Sequence, residues 1–141
     1  FFDTGLLLAL VFNEKKIIGE EVYKKILFDK LSFNEGMIIE NVVAQSLASS
    51  GRKLYFFSKY NENNSSETLE IDFFISKDII TSKHNIIPIE VKSGDRYTYS
   101  SLNKLKNKYK DFIDKPIIIH TKDLKIENDI LYLPIYMTTL L

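Results

Sequence analysis

Ile86-Ile87-Pro88-Ile89-Glu90-Val91-Lys92 is the stretch whose reading decides the fold. Its β-branched residues and period of two predict a strand. Ile87, Ile89 and Val91 then form an apolar face, and Glu90 and Lys92 share the other, about 6 to 7 Å apart along the strand. Ser93-Gly94 ends it. A Glu-x-Lys pair by itself also suits any solvated strand face, so its weight comes from what surrounds it.

Upstream, Leu69 to Ser76 reads as another strand, containing Glu70-Ile71-Asp72-Phe73-Phe74-Ile75. Asp is disfavoured in strands, and here large apolar residues follow it at once. Alternation puts Glu70, Asp72 and Phe74 on one face. The connection through Lys83-His84-Asn85 is short, which favours an antiparallel hairpin with the Glu90 strand. Asn34 precedes a helix predicted over Glu35 to Ser50, stopped at Gly51. At about 100° per residue, Glu40 projects between Ala44 and Leu47 and close to Met37, inside the apolar stripe. Lys53 to Ser58 is a strand, and Tyr60 to Thr68 is a polar, flexible loop.

Downstream, a helix is expected over roughly Tyr99 to Asp114, with Leu102, Leu105, Tyr109, Phe112 and Ile113 on its apolar face. Pro116 opens a buried strand, Ile117 to Ile119. A last strand covers Asp129 to Leu133, and Pro134 to Leu141 is an apolar tail. Two short helices come first, Asp3 to Leu10 capped by Asp3 and Glu20 to Leu27. The expectation is one α/β domain over residues 1–141. It has a helical lead-in (1–33), a helix-strand-strand-strand-helix-strand core on a mixed sheet (34–120), and a terminal strand and tail (121–141).

The composition suits a soluble globular domain, at 141 residues and 45% hydrophobic. No apolar run is long enough to span a bilayer, so no membrane role is expected. Cysteine is absent, which excludes disulfides and thiolate zinc sites and fits a reducing, cytoplasmic setting. The chain opens on Phe1-Phe2 and its first Met is Met37, so it reads as a piece of a longer protein. Lys plus Arg and Asp plus Glu are 19 each, a net charge of zero. Dedicated nucleic-acid binders usually carry a basic excess, so any such contact must come from a local patch or from elsewhere in the parent protein.

Each of the four charges has an ordinary reading: Glu40 paired with a nearby Lys, Asp72 on a solvated edge strand, Glu90 and Lys92 on a wet face. Together they say more. Asp72 and Glu90 on neighbouring strands repel unless a proton or cation is shared. Oxygen ligands without Cys or adjacent His suit Mg²⁺ or Mn²⁺, not Zn²⁺. Such an ion polarises a phosphoryl oxygen, Lys92 would orient the attacking water, and Glu40 would support the ion from the helix. The chemistry that needs this set is metal-assisted phosphodiester hydrolysis.

These residues, in this element order, resemble the PD-(D/E)XK (restriction-endonuclease-like) superfamily. More narrowly the chain is similar to an uncharacterised domain found C-terminal to AAA-type ATPases in bacteria and archaea. The matching stretches are Phe2-Asp3-Thr4-Gly5-Leu6-Leu7, Gly36-Met37-Ile38-Ile39-Glu40-Asn41, Glu70-Ile71-Asp72-Phe73, Ile89-Glu90-Val91-Lys92-Ser93-Gly94, and Leu133-Pro134-Ile135-Tyr136 with Leu140-Leu141. The first acid follows Ile in place of the superfamily's Pro. The resemblance implies an ATPase domain preceding this one, which alone would handle ATP. It also implies a nuclease-like triad of Asp72, Glu90 and Lys92 with Glu40 as the helix carboxylate, acting on nucleic acid, DNA in preference. The alternative is a catalytically inert module that binds nucleic acid or protein and regulates the fused ATPase, with Lys92 as internal counter-ion.

Other features are read conservatively. Lys104, Lys106, Lys108 and Lys110 are expected on the solvated side of their helix, with phosphate contact the alternative. Tyr55, Phe56, Phe57, Phe73 and Phe74 are expected mostly in the core, and not as a base-stacking platform. His84 and His120 receive no role.

Overall fold

The computed structural model describes residues 3–6, 35–62, 68–77, 84–94 and 98–141. The elements run α1 (Glu35–Ser49), β1 (Tyr55–Lys59), β2 (Leu69–Ser76), β3 (Ile86–Lys92), α2 (Ser100–Lys108), β4 (Ile117–His120), β5 (Lys125–Glu127), β6 (Ile130–Pro134) and a 3₁₀ helix (Ile135–Leu140). The six strands form one mixed sheet in the order β1-β2-β3-β4-β6-β5. β1, β2 and β3 pair antiparallel, β3–β4 and β4–β6 pair parallel, and β5 returns antiparallel on β6. The fold is therefore mixed α/β, with the expected order of helix, three strands, helix, strand at its centre. Among the described residues no helix is long and apolar enough to cross a membrane.

The sheet buries both faces. On one, Val43 and Leu47 of α1 pack with Ile75, Ile89, Val91, Ile117, Ile119 and Leu133, and Ile135 and Met137 of the 3₁₀ helix join them. On the other, Leu102 and Leu105 of α2 pack with Leu69, Ile71, Ile118, Ile130 and Tyr132. β4 is covered from both sides, which is why it reads as an unbroken apolar run and not as an alternating one. Each fully buried Ile contributes about 1.5–3 kcal/mol.

Three local expectations need correction. The helix expected to reach Asp114 stops at Lys108. The backbone of Phe112 and Asp114 instead bonds Ile86, with Ile86 N–H donating to Phe112 O (3.3 Å) and Asp114 N–H to Ile86 O (2.8 Å). A strand-like bridge to a distant residue thus wins over helix periodicity, burying Ile113 and leaving Phe112 58% exposed. β5 was not expected: Asn128 and Asp129, both at positive φ (51° and 60°), make the two-residue turn that joins it to β6. Asp129 therefore belongs to a turn and not to the last strand. β1 begins two residues later than expected, at Tyr55, and the apolar tail is a 3₁₀ helix.

Elsewhere the reading holds closely. α1 ends before Gly51, whose φ of 80° suits a residue without a Cβ. Thr4 to Leu6 are helical, and Leu6 N–H donates to the Asp3 carboxylate at 2.6 Å, the expected cap. Thr4 Oγ1 accepts from the side-chain amides of Asn41 (3.0 Å) and Gln45 (2.8 Å), which ties this turn to α1. The helix expected over Glu20 to Leu27, residues 7–10 of the one expected from Asp3, and residues 63–67 of the expected polar loop lie outside the described residues.

Candidate active site

The site lies at the C-terminal end of β3. β2 and β3 pair from Ser76↔Ile86 to Phe73↔Ile89, and the regular ladder goes no further. Against β1, the register passes from Tyr55↔Phe74 to Phe57↔Ile71, so Asp72 and Phe73 together lie across from Phe56. That is a β-bulge in β2, a device that re-aims side chains. Its effect shows in the core. Leu69 and Ile71 join the α2-side cluster, whereas Phe73 and Ile75 join the α1-side one. Strict alternation, which grouped Glu70, Asp72 and Phe74 on one face, therefore breaks at Asp72. The Asp72 carboxylate turns to β3, where Val91 N–H donates to Oδ2 at 2.7 Å.

Glu90 is the buried acid, 5% exposed and across from Ile118 of β4. Lys92 Nζ lies 3.0 Å from Glu90 Oε1. The other oxygen, Oε2, is buried and has no hydrogen-bond partner. A buried, unpaired carboxylate oxygen is costly, and sites that tolerate one commonly have a functional reason. Burial pushes the Glu90 carboxyl above its ordinary range, and nearby Asp72 adds to the rise, while Lys92 pulls it down. Asp72 is likewise raised, first by burial, against the lowering effects of the Val91 amide and Lys92. Glu40, half-buried on α1, is raised by burial and then by Asp72, with Lys92 opposing. The four residues singled out in the sequence therefore form one electrostatic neighbourhood in which three carboxylates resist ionisation around one ammonium.

Two residues join this neighbourhood that sequence reasoning left aside. Glu70 raises both Glu40 and Asp72 through its charge. His120 stands across from Lys92 in the β3–β4 ladder and is 1% exposed. Its Nε2 bonds the Asp123 carbonyl at 3.1 Å, so that nitrogen carries the proton, and burial lowers the imidazole pKa. The signal was a polar residue closing an apolar strand, in the same relation to Ile117-Ile118-Ile119 as Lys92 is to β3. His84 lies elsewhere, on a hollow shared with Lys106, Lys110 and Asp114. A second hollow lies over Val42, Gln45 and Ser49 of α1, and none of the four site residues lines either one.

Among the described residues, no three His, Asp or Glu side chains are gathered closely enough to hold a metal ion by themselves. Mg²⁺ does not require that, since it commonly takes one or two carboxylates and keeps its waters. The unpartnered Glu90 Oε2 beside Asp72 is the feature a hard cation fits: it would satisfy the orphaned oxygen and relieve the mutual repulsion.

A family model described as "Domain of unknown function (DUF4143)" matches residues 35–137. The chain belongs to the DUF4143 family. The matched DUF4143 region starts at the first residue of α1 and ends in the 3₁₀ helix, so it takes in the whole sheet and all four site residues. Neither a curated protein nor a solved structure matches the chain.

Proposed function

We propose that this domain is a metal-dependent, nuclease-like phosphodiester hydrolase of the PD-(D/E)XK kind, fused to an AAA-type ATPase and acting on nucleic acid, DNA in preference. The observation that carries the reading is the buried, unpartnered Glu90 Oε2 beside Asp72, at the bulge of β2 where its ladder with β3 ends. A fold keeps such an oxygen at a cost, and a divalent cation removes that cost.

Asp72 and Glu90 would hold Mg²⁺ or Mn²⁺, with Glu40 supporting from α1. When bound, the ion supplies Lewis-acid polarisation of a phosphoryl oxygen. Lys92 provides a fixed positive charge for the negative charge that develops on the phosphate, and its ammonium can orient the attacking water. Asp72 is itself oriented by the Val91 amide, so the backbone of β3 positions its own partner acid. His120, neutral beside Lys92, adds no competing charge.

One observation favours the inert module. Lys92 already lies 3.0 Å from Glu90, as an internal counter-ion would. The two readings part on metal and on cleavage. Calorimetric titration with Mn²⁺ and Mg²⁺ is expected to show binding to the wild type and none to Asp72→Ala. Single- and double-stranded DNA and RNA, incubated with Mg²⁺, Mn²⁺ or EDTA, are expected to be cut only with metal, and not by folded Asp72→Ala or Lys92→Ala. Cleavage that survives in both variants removes this site from the reaction. Absence of both metal binding and cleavage leaves the inert module.

A further inference from the structure

The end of β2 that carries Asp72 borders a strip of aromatic surface on β1. Phe56, directly across from the Asp72–Phe73 bulge, is 79% exposed, and Tyr60, just past the strand, is 75% exposed. Alternation puts Phe56 and the small Ser58 on the side of β1 opposite Phe57, the α1 side of the sheet, and Tyr60 follows one residue past the strand, about 13 Å along the chain from Phe56. Sequence reasoning put β1's aromatics mostly in the core. Phe57, Phe73 and Phe74 do pack there, but Tyr55 and Phe56 do not. Among the described residues, α1 packs mainly on β3 and the 3₁₀ helix, and β1 is the edge strand of the sheet. Phenyl and phenol rings left in water beside a candidate active site are poorly explained by stability.

The surroundings have a charge bias. From Asn41 to Asn61 there is no Asp or Glu, and the span carries Arg52, Lys53 and Lys59 in a chain of zero net charge. Lys53 and Lys59 are exposed and bracket β1, while Arg52 is tied to the Leu141 carbonyl by its Nε at 2.7 Å. Glu70, across from Ser58, and Glu62, two residues past Tyr60, are acids that border the strip. Open π-faces flanked by cations, with an acid between them, suit bases facing the strip and phosphates running along the Lys-bearing margin. That combination of stacking surface and basic flank is how proteins hold unpaired strands. A duplex hides its base faces and offers the strip nothing to stack on.

Resting on the nuclease reading, we propose that Phe56 and Tyr60 stack unpaired bases and lead a single strand, or the unpaired arm of a branched nucleic acid, to Asp72, the site carboxylate that the strip borders. The substrate class is then single-stranded nucleic acid and not intact duplex.

The test is fluorescence anisotropy in EDTA, where no cutting occurs, with a labelled oligothymidylate of roughly 15 nucleotides and a hairpin duplex of similar length. The wild type is expected to prefer the single strand. Phe56→Ala is expected to weaken that binding about tenfold, a typical loss for one stacked base, with the hairpin unaffected. Phe56→Tyr should restore it, and Tyr60→Ala should show a smaller loss. Phe56 is exposed, so its removal leaves the core intact, and circular dichroism checks this. Equal binding of the strand by Phe56→Ala, Tyr60→Ala and wild type overturns the proposal, as does wild-type preference for duplex or no binding at all. So does a wild-type dimer that Phe56→Ala merely separates, which would make the strip a self-association face. A stacking loss in a protein that never cuts keeps this proposal and removes the nuclease reading. Cleavage unchanged in Phe56→Ala does the reverse.

Discussion

Glu90 and Ile118 stand across from each other in the β3–β4 ladder and are almost equally hidden, at 5% and 0% exposed. One contributes burial energy to the α2-side core, and the other spends it on a carboxylate with an orphaned oxygen. Neighbouring positions of one sheet thus have contributions of opposite sign. The difference teaches where each task sits. The apolar interior of β4 holds the sheet together, and the end of β3, where β2 turns away, is free to carry charge because its neighbours supply the stability.

The largest effect expected from this contrast is on the β4 side. Ile118→Ala should lower unfolding free energy by about 2–5 kcal/mol, read as a fall in the urea midpoint at unchanged slope. A loss below about 1 kcal/mol would mean that β4 is not the stabilising half of the pair. On the β3 side, Lys92→Ala leaves Glu90 with neither oxygen paired and should cost about 1–3 kcal/mol near neutral pH. Glu90→Gln removes the buried charge and should leave the domain as stable as wild type or about 1 kcal/mol more so. Destabilisation by Glu90→Gln comparable to that of Ile118→Ala would erase the contrast.

The pH dependence follows from the raised Glu90 pKa. The folded state holds the proton more tightly than the unfolded chain, so stability falls as pH rises above 4.5 through the folded value. The gain from Glu90→Gln should therefore be present near neutral pH and vanish below 4.5, in urea titrations compared across that window. Mg²⁺ or Mn²⁺ should remove the same penalty. At ten times the dissociation constant, binding would raise unfolding free energy by about 1.4 kcal/mol in wild type and by nothing in Glu90→Gln. Equal metal stabilisation of both proteins would put the ion elsewhere.

Much of this geometry was legible in the sequence because it rests on local patterns. The bounds of β2 and β3 follow from alternation and flanking breakers, and the end of α1 follows from Gly51. The placement of Asp72 and Glu90 on paired strands follows from a short connection. What was not legible depends on partners far away in the chain. No local signal says that Ile86 will capture the backbone of Phe112 and Asp114 and cut α2 short. The Asp72 bulge exists only as a mismatch between β1 and β2, so alternation within β2 alone could not reveal it. The exposure of Phe56 is a matter of which strand lies at the edge, and sheet order is not written in any one strand. The β5–β6 turn is the exception, since the Asn128-Asp129 pair was available and went unread.

The smallest effect tests the sign of the pH argument at a site with the opposite shift. Lys77 and Asp114 form an ion pair near the start of β3, with side chains 39% and 26% exposed, away from the Glu90 end. The hydrogen bond from Lys77 is the main cause holding the Asp114 carboxyl below its ordinary range. A lowered pKa means that the unfolded chain binds the proton more readily. The pair's contribution is therefore complete above 3.8 and lost as pH falls through the folded value. Being partly exposed, it should be worth no more than about 0.2–1 kcal/mol and should shrink in high salt. Lys77→Met should thus lower the urea midpoint slightly at neutral pH and lose that effect in acid. The Glu90→Gln effect also fades in acid, but it is a gain where this one is a loss. If both substitutions shifted stability in the same direction near neutral pH, burial would not be the force that distinguishes the acid at the end of β3 from the one at its beginning.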